Sequence, residues 1–216
     1  MRPAIVTVGP ITAGVANSIA LTQTPSAGAL TLNGSTVVGG VAVLDAARQV
    51  LITTTGNEVG KTFTITGTNW SGSVISEVVQ GVNNSTATSV LDYATVTSIV
   101  ISANAANALT VGTNGVAGSP WVRFDDWAPP NISIQVSVSG TVNFTVQQTL
   151  DDPNNPTSPI AASAVVWINH PDSDLVAATG SVQGNYAYAP IYARVVLNSG
   201  TGSIRATFLQ SGDTPA

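Results

Sequence analysis

The chain is poor in charge and in the side chains that most often carry catalysis. Of its 216 residues only 8% are charged, and there is no cysteine and a single histidine, His170. An ordinary soluble protein has roughly 25% charged residues. The absence of cysteine excludes disulfide frameworks and thiolate metal sites. One histidine excludes any metal site that needs two imidazoles, so we expect no cofactor and no metal.

Basic residues and long apolar runs are also scarce. The six Lys and Arg residues are scattered singly, so no basic patch could neutralise phosphates. We therefore expect neither nucleic acid nor an anionic membrane surface as a partner. No run approaches the roughly 20 apolar residues of a transmembrane helix. Residues 1–8 alternate in hydrophobicity, unlike the apolar core of a signal peptide, which predicts synthesis in the cytoplasm.

What the chain does have is uncharged polar and apolar residues. Hydrophobic residues make up 44% of the sequence, which excludes a disordered chain. The surface must then be covered largely by Thr, Ser, Asn, Gln and Gly. Hydroxyls and amides lose less hydration than charges when they are covered by another molecule. This composition favours large protein–protein contacts, or else a neutral coat on a surface-exposed β protein.

Apolar and polar residues alternate through two blocks, with Gly, Asn and Pro between the runs. In the first block, residues 62–66 and 73–79 predict a hairpin, and residues 94–102 predict a central strand because both of its faces are partly apolar. In the second block, residues 132–138 with 142–146 predict one hairpin, and 192–197 with 203–210 another. The predicted fold class is all-β, with two consecutive antiparallel β-sandwich or jelly-roll-like domains and few helices.

Residues 114–120 (NGVAGSP) are small and contain two glycines and a proline. Such a segment is typical of a linker. We therefore expect an N-terminal β domain at residues 1–116 and a C-terminal β domain at residues 117–216.

Paired carboxylates are the main candidates for chemistry. They occur at Asp125 and Asp126, at Asp151 and Asp152, and at Asp172 and Asp174, all in expected loops. Carboxylates at suitable separations can cleave glycosides, and clustered ones can bind calcium. Aspartates in turns more often cap local backbone N–H groups. His170 precedes a proline in a loop, with no nucleophile motif nearby. We predict no catalytic residue and expect that the chain is not an enzyme.

Aromatic residues are concentrated in the second block. Only Trp70 and Tyr93 represent Trp and Tyr in the first block. Aromatic side chains anchor interfaces, stack on sugar rings, or fill a core. The interface candidates are Trp121, Trp127, Trp167, Tyr186, Tyr188 and Tyr192.

Several stretches resemble virion proteins of tailed bacteriophages. The first runs through residues 50–72 (VLITTTGNEVGKTFTITGTNWSG), followed by SEVV at 76–79 and ATVTS at 94–98. In the second block the similar stretches are FTVQQTLDD at 144–152, NHP at 169–171, and residues 192–210. The resemblance implies β architecture and a structural role in a phage particle, and it identifies no catalytic residue.

The resemblance and the composition together predict a non-enzymatic structural component of a virion. The leading hypothesis is a capsid decoration or cement protein that bridges subunits of the major capsid protein, as a dimer or trimer. One alternative is a tail protein, or a head-to-tail ring or fibre-attachment protein. Another alternative is a carbohydrate-binding module that uses the aromatic residues of the C-terminal domain.

Overall fold

The computed structural model describes residues 3–125 and 131–211. Apart from two three-residue 3-10 turns, Ala162–Ala164 and Ser173–Leu175, every regular element in these residues is a strand. All the strand pairs given below are antiparallel, and the predicted all-β fold class is confirmed. The strands in chain order are β1 (Ala4–Val8), β2 (Ala20–Gln23), β3 (Gly28–Ala29), β4 (Val37–Val38), β5 (Val41–Thr54), β6 (Thr62–Thr68), β7 (Val74–Gln80), β8 (Thr86–Thr88), β9 (Tyr93–Ile101), β10 (Leu109–Gly118), β11 (Val122–Arg123), β12 (Ile132–Ser139), β13 (Val142–Thr149), β14 (Ile168–Asn169), β15 (Val182–Tyr186), β16 (Tyr192–Gly200) and β17 (Ser203–Gln210).

The chain forms two compact units, and one of them is discontinuous in sequence. The split unit combines Met1–Ile11 with Ala117–Ala216, and the inserted unit is Thr12–Val116. The expected N-terminal domain wrongly included β1, which pairs with β17 of the split unit. The expected linker is also wrong in part, because residues 114–118 continue strand β10 and the division falls inside that strand.

Two antiparallel sheets make up the split unit. The first has the strand order β1-β17-β12-β15, and the second has β14, β13 and β16 in that order, with β11 beside β16. Alternate residues of β12 and β17 are buried, which is the period-two pattern that the sequence showed. The core residues are Val6, Val8, Ile132, Ile134, Val136, Phe144, Val146, Val195, Leu197, Ile204, Ala206 and Phe208.

The two hairpins predicted in this unit are wrong, because each predicted pair of strands is divided between the two sheets. Strand β12 pairs with β17, while β13 pairs with β16. The pairing of Ser139 with Ser203 is followed by that of Val142 with Gly200. The connection from β12 to β13 therefore runs beside the connection from β16 to β17. A two-stranded ribbon therefore bends from one sheet into the other, as strands do at the corners of sandwiches.

Glycine is required where this ribbon bends. Gly140 and Gly200 have φ values of +81° and +109°, a region that side chains with a Cβ rarely adopt. The backbones also approach closely, since a Cβ on Gly200 would lie 2.3 Å from the carbonyl oxygen of Thr141. We call the bend at residues 139–142 and 200–203 the ribbon corner.

The inserted unit contains one antiparallel sheet with the order β10-β5-β9-β6-β7. Strands β4 and β8 add to β5, β3 adds to β9, and β2 adds to β10. The predicted hairpin of residues 62–66 and 73–79 is confirmed as β6 and β7. The predicted central strand is confirmed as β9, which lies between β5 and β6.

Buried charges tie loops to the sheet of the inserted unit. Arg48 is only 2% exposed, and its guanidinium donates to the carbonyl oxygens of Thr12 (2.7 Å) and Asn114 (3.1 Å). Its charge is balanced by the Asp45 carboxylate at 2.7 Å. A buried carboxylate, Glu58, pairs with Lys61 and accepts from the backbone N–H of Ala106 at 2.8 Å. Arg48 thus binds the backbone of the Thr12 loop and of strand β10, and Glu58 binds that of the loop at Ala106.

Candidate functional site

Three of the predicted aromatic residues come together on the second sheet of the split unit. The rings of Trp121 and Trp167 lie 5.0 Å apart at 71°, and those of Trp121 and Tyr192 lie 5.9 Å apart at 65°. Edge-to-face contacts of this kind add to the stabilisation that burial provides. Tyr192 is at the start of β16, Trp121 directly precedes β11, and Trp167 directly precedes β14. Pairing of these strands within one sheet places the three rings together.

Two arginines cover the rings. The Arg194 guanidinium lies 4.4 Å from the ring centroid of Trp167, and its Nε donates to Oε1 of Gln147 at 2.9 Å. Arg123 lies 5.9 Å from the ring of Tyr192 and pairs with Asp152 at 3.2 Å. At these distances the positive guanidinium groups are attracted to the aromatic rings by cation–π interaction. We call these five side chains, Trp121, Trp167, Tyr192, Arg123 and Arg194, the aromatic cluster.

The geometry of the aromatic cluster is unfavourable for sugar stacking. A sugar ring stacks on an open aromatic face, but Arg194 covers one face of Trp167. The rings of Trp121 and Trp167 are steeply inclined to each other, so they do not form one flat platform. Tyr192 is buried and its hydroxyl accepts from Nδ2 of Asn154 at 2.8 Å. The cluster is better suited to holding neighbouring loops in place than to binding a glycan.

Large apolar side chains lie exposed beside the aromatic cluster. Leu150, Val166 and Ile168 are 68%, 64% and 61% exposed. Ile168 stands opposite Gln148 in the register of β13 and β14, and Gln148 donates to the hydroxyl of the exposed Tyr188 at 2.7 Å. Val166 N–H donates to the Asp151 carboxylate, which directly follows Leu150. We call Leu150, Val166, Ile168 and Tyr188 the end patch.

The aromatic residues singled out in the sequence have different positions. Tyr188 belongs to the end patch and three others to the aromatic cluster, while Trp127 lies outside the described residues. Tyr186 is buried in the core against Phe124, so the expectation that it is an interface residue is wrong. Leu150, Val166 and Ile168 were not predicted from the sequence. The signal available there was the loop with three prolines between Leu150 and Val166.

The only histidine is buried in the same unit. The Nδ1 atom of His170 accepts from the backbone N–H of Asp172 at 3.1 Å, and its ring lies 4.6 Å from that of Tyr186. Its Nε2 and the Tyr186 hydroxyl are buried and meet no hydrogen-bond partner in the described part of the chain. A general base must reach its substrate, and this imidazole is 3% exposed. The geometry therefore favours a structural role.

The paired aspartates bond mainly to the backbone around them. Asp152 accepts from the N–H of Asn154 (2.9 Å), and Asp172 accepts from that of Asp174 (3.0 Å). Such bonds stabilise turns. Asp126 lies outside the described residues. Within residues 3–125 and 131–211 no group of three metal-ligating side chains comes together, and no helix is long and apolar enough to span a membrane.

Comparison of the chain with protein-family models, with curated proteins and with solved structures finds no match. The site must therefore be interpreted from its own geometry. Its distinctive features are an exposed apolar surface, a rigid aromatic support beside it, and carboxylates engaged in local bonds. This combination is typical of a surface that binds another protein.

Burial of His170 makes stability depend on pH. Burial lowers the pKa of His170 below its ordinary value, and the Asp172 carboxylate opposes this effect only in part. The unfolded chain therefore binds a proton more readily than the folded one, so stability falls as pH drops below the unfolded value of about 6.5. We expect the free energy of unfolding of the split unit to decrease between about pH 7 and pH 5, by at most about 1.4 kcal/mol per pH unit.

Denaturant titrations followed by tryptophan fluorescence would measure this dependence. A Trp70→Phe background leaves emission only from the tryptophans of the split unit. In that background, His170→Phe should be less stable at pH 7 but should show a shallower slope between pH 7 and pH 5. Equal slopes for the two proteins would contradict the assignment to His170.

Proposed function

We propose that this chain is a non-enzymatic structural component of a tailed-phage particle, acting as a capsid decoration protein that bridges shell subunits. The observation that carries the protein-binding part of this proposal is the end patch. In this patch three aliphatic side chains and a tyrosine are exposed on the split unit, and the chain as a whole has few charged residues. The phage setting rests on the resemblance of residues 50–72 and 144–152 to virion proteins.

The end patch has the composition of an interface centre. Isolated exposed apolar residues are ordinary, whereas several together mark a contact surface. The neighbouring aromatic cluster keeps the loops that carry the patch in one conformation. A surface already ordered before binding loses less conformational entropy when it binds. The Asp151 carboxylate beside the patch already accepts a hydrogen bond from the N–H of Val166, so it is partly satisfied before any partner covers it.

Copy number in purified particles tests the proposed role. Quantitative mass spectrometry of the mature particles should find the protein at a ratio to the major capsid protein set by icosahedral sites. A tail or ring protein would instead occur at about 3, 6 or 12 copies per particle. Absence from mature particles would reject a virion role of either kind.

Charge introduced into the end patch should weaken binding to shells. Leu150→Asp and Ile168→Asp each place a carboxylate at an exposed position, so the fold should be preserved. We expect each to weaken binding to particles stripped of the protein by at least about tenfold, because a desolvated charge would be left without a partner. Binding can be measured by co-sedimentation with the particles.

The matched control is Val38→Asp, at an exposed position in the inserted unit. This variant should bind as the unchanged protein does. Thermal unfolding of all three variants would show whether the fold is retained. Normal binding by both Leu150→Asp and Ile168→Asp would refute the assignment of the end patch.

A further inference from the structure

Among the described residues, strand β7 is the last strand of its sheet, and some of its backbone hydrogen-bonding groups have no partner. On β6, the carbonyl of Thr62 accepts from Ser102 on the β9 side, while that of Lys61 accepts from Gly81 on the β7 side. Bonding alternates along an antiparallel pair, so Ile75, Glu77 and Val79 of β7 bond to β6. The residues between them direct their N–H and C=O groups away from β6. These residues are Val74, Ser76, Val78 and Gln80.

No described strand lies beyond β7 in this sheet. Exposed edges attract other strands, and monomeric proteins commonly protect them with lysine, proline, bulges or very short strands. Strand β7 (VISEVVQ) has no lysine and no proline, and it pairs with β6 over seven consecutive positions without a bulge. Its one charged residue, Glu77, points inward, where its carboxylate accepts from the N–H groups of Val90 and Leu91 at 2.9 Å each.

The other edge strands of the described residues are shorter. In the split unit, β1 and β15 have five residues each and β14 has two. On β7 the side chains beside the outward backbone groups include Val74 and Val78, which are 76% and 57% exposed. Water can satisfy these exposed groups, but among protein segments it is an extended strand that matches a row of alternating backbone donors and acceptors. The chemistry of the edge therefore specifies its occupant as a β-strand flanked by apolar side chains.

We propose that β7 pairs antiparallel with β7 of a second copy of this chain, across a two-fold axis at Ser76. Strand β7 is itself a strand of this kind, because Val74 and Val78 lie beside its outward backbone groups. A second β7 therefore matches the edge of the first. Two copies would then share one continuous sheet. Isologous pairing of this kind closes after two copies, so it forms a dimer and not a fibre. The proposal goes beyond the proposed function and does not depend on it.

The register follows from the side chains. An axis at Glu77 would place the two Glu77 residues directly opposite each other, which is unfavourable for like charges. An axis at Val78 would leave Val74 opposite a residue beyond the end of the second β7. An axis at Ser76 places Val74 opposite Val78 of the second copy on both sides of the axis, and Glu77 opposite Ile75. Of the three registers, this one alone places both exposed valines of each copy opposite a valine within β7 of the other copy.

Sedimentation equilibrium over a wide concentration range tests the dimer. Val78→Pro removes one outward N–H and leaves the bonds from β7 to β6 intact, because proline is tolerated where an edge N–H faces solvent. Val78→Lys introduces the charge that natural edges use for protection. We expect the unchanged protein to dimerise and both variants to do so at least about tenfold more weakly. Val38→Lys, also exposed, should dimerise normally.

A single introduced cysteine reports the register, since the natural chain has none. Hydrogen-bonded antiparallel partners have Cα atoms about 5.5 Å apart, within the range that a disulfide can bridge. Ser76→Cys should therefore form a disulfide-linked dimer under mild oxidation, while Gln80→Cys should not. Equal cross-linking of the two variants would overturn the proposed register.

Three results would overturn the proposal as a whole. The first is a monomer at every concentration tested. The second is a dimer that persists unchanged in both Val78→Pro and Val78→Lys. The third is a monomer that binds an extended segment of a different protein along β7. If Val78→Pro proves unfolded by circular dichroism, Val78→Lys and the cysteine pair still decide the question.

Discussion

A Gly200→Ala variant is expected to lose on the order of 3 kcal/mol of stability in the split unit. Two effects contribute at the ribbon corner. The φ of +109° is one that an alanine rarely adopts, and the added Cβ would lie 2.3 Å from the Thr141 oxygen and 2.8 Å from the Val142 Cα. Both contacts are with backbone that is itself bonded into a ladder, so neither can relax by a side-chain rotation.

Differential scanning calorimetry would measure this loss. For a unit of about 110 residues, a loss of this size lowers the unfolding midpoint by roughly 10 °C or more. Gly180→Ala is the matched control in the same unit, because its φ is not positive and a Cβ there would contact nothing within 4 Å. If Gly200→Ala unfolded at the same temperature as Gly180→Ala, the close approach at the ribbon corner would be refuted.

Replacing Arg48 with methionine is expected to destabilise the inserted unit by about 3 kcal/mol. The change leaves the carbonyl groups of Thr12 and Asn114 without their donor, and it leaves the Asp45 carboxylate without its counter-charge. Removing one partner of a buried pair typically costs 3–5 kcal/mol. The expected value is near the lower end because Asp45 is partly exposed and can be hydrated in the variant.

The comparison variant is Arg123→Met, which removes an exposed arginine that pairs with Asp152. Ion pairs at the surface contribute about 0–1 kcal/mol, so this change should cost much less. Hydrogen exchange of the backbone amides of β5 and β9, measured at increasing urea concentration, would report the effect of Arg48→Met on the inserted unit. Circular dichroism would report Arg123→Met. Equal losses in the free energy of unfolding for the two variants would contradict the stabilising role assigned to the buried bonds of Arg48.

The strands could be predicted from the sequence because alternation is a local property. Residues 132–138 and 142–146 are strands as expected, but the prediction that they pair with each other was wrong. In a hairpin and at the ribbon corner alike, inward residues recur at every second position on both sides of a glycine-containing turn. The difference lies in the partners: Ser139 pairs with Ser203, and Val142 with Gly200. Partners some 60 residues away leave no trace in a local pattern.

The location of the candidate site could be predicted from the sequence, but the exposure of its individual residues could not. Clustering of aromatic residues in the second block indicated where it would lie, and Trp121, Trp167 and Tyr192 do come together. Composition does not tell an exposed tyrosine from a buried one, so Tyr186 and Tyr188 looked equivalent. Ile168 lies in β14 at the edge of the described sheet, and Leu150 directly follows β13, which pairs with β14. The exposure of these two side chains is decided by tertiary packing, which a local sequence pattern does not show.

The discontinuous course of the chain has a consequence for biosynthesis. Strand β17 lies between β1 and β12 in the first sheet of the split unit, and it is the last strand of the described residues to leave the ribosome. Strand β1, synthesised first, has no partner until β17 emerges. The inserted unit holds all its own strands and can fold while translation continues. Nascent chains that have exposed residues 1–118 but are arrested before residue 203 should therefore contain a folded inserted unit and a protease-sensitive N-terminal strand.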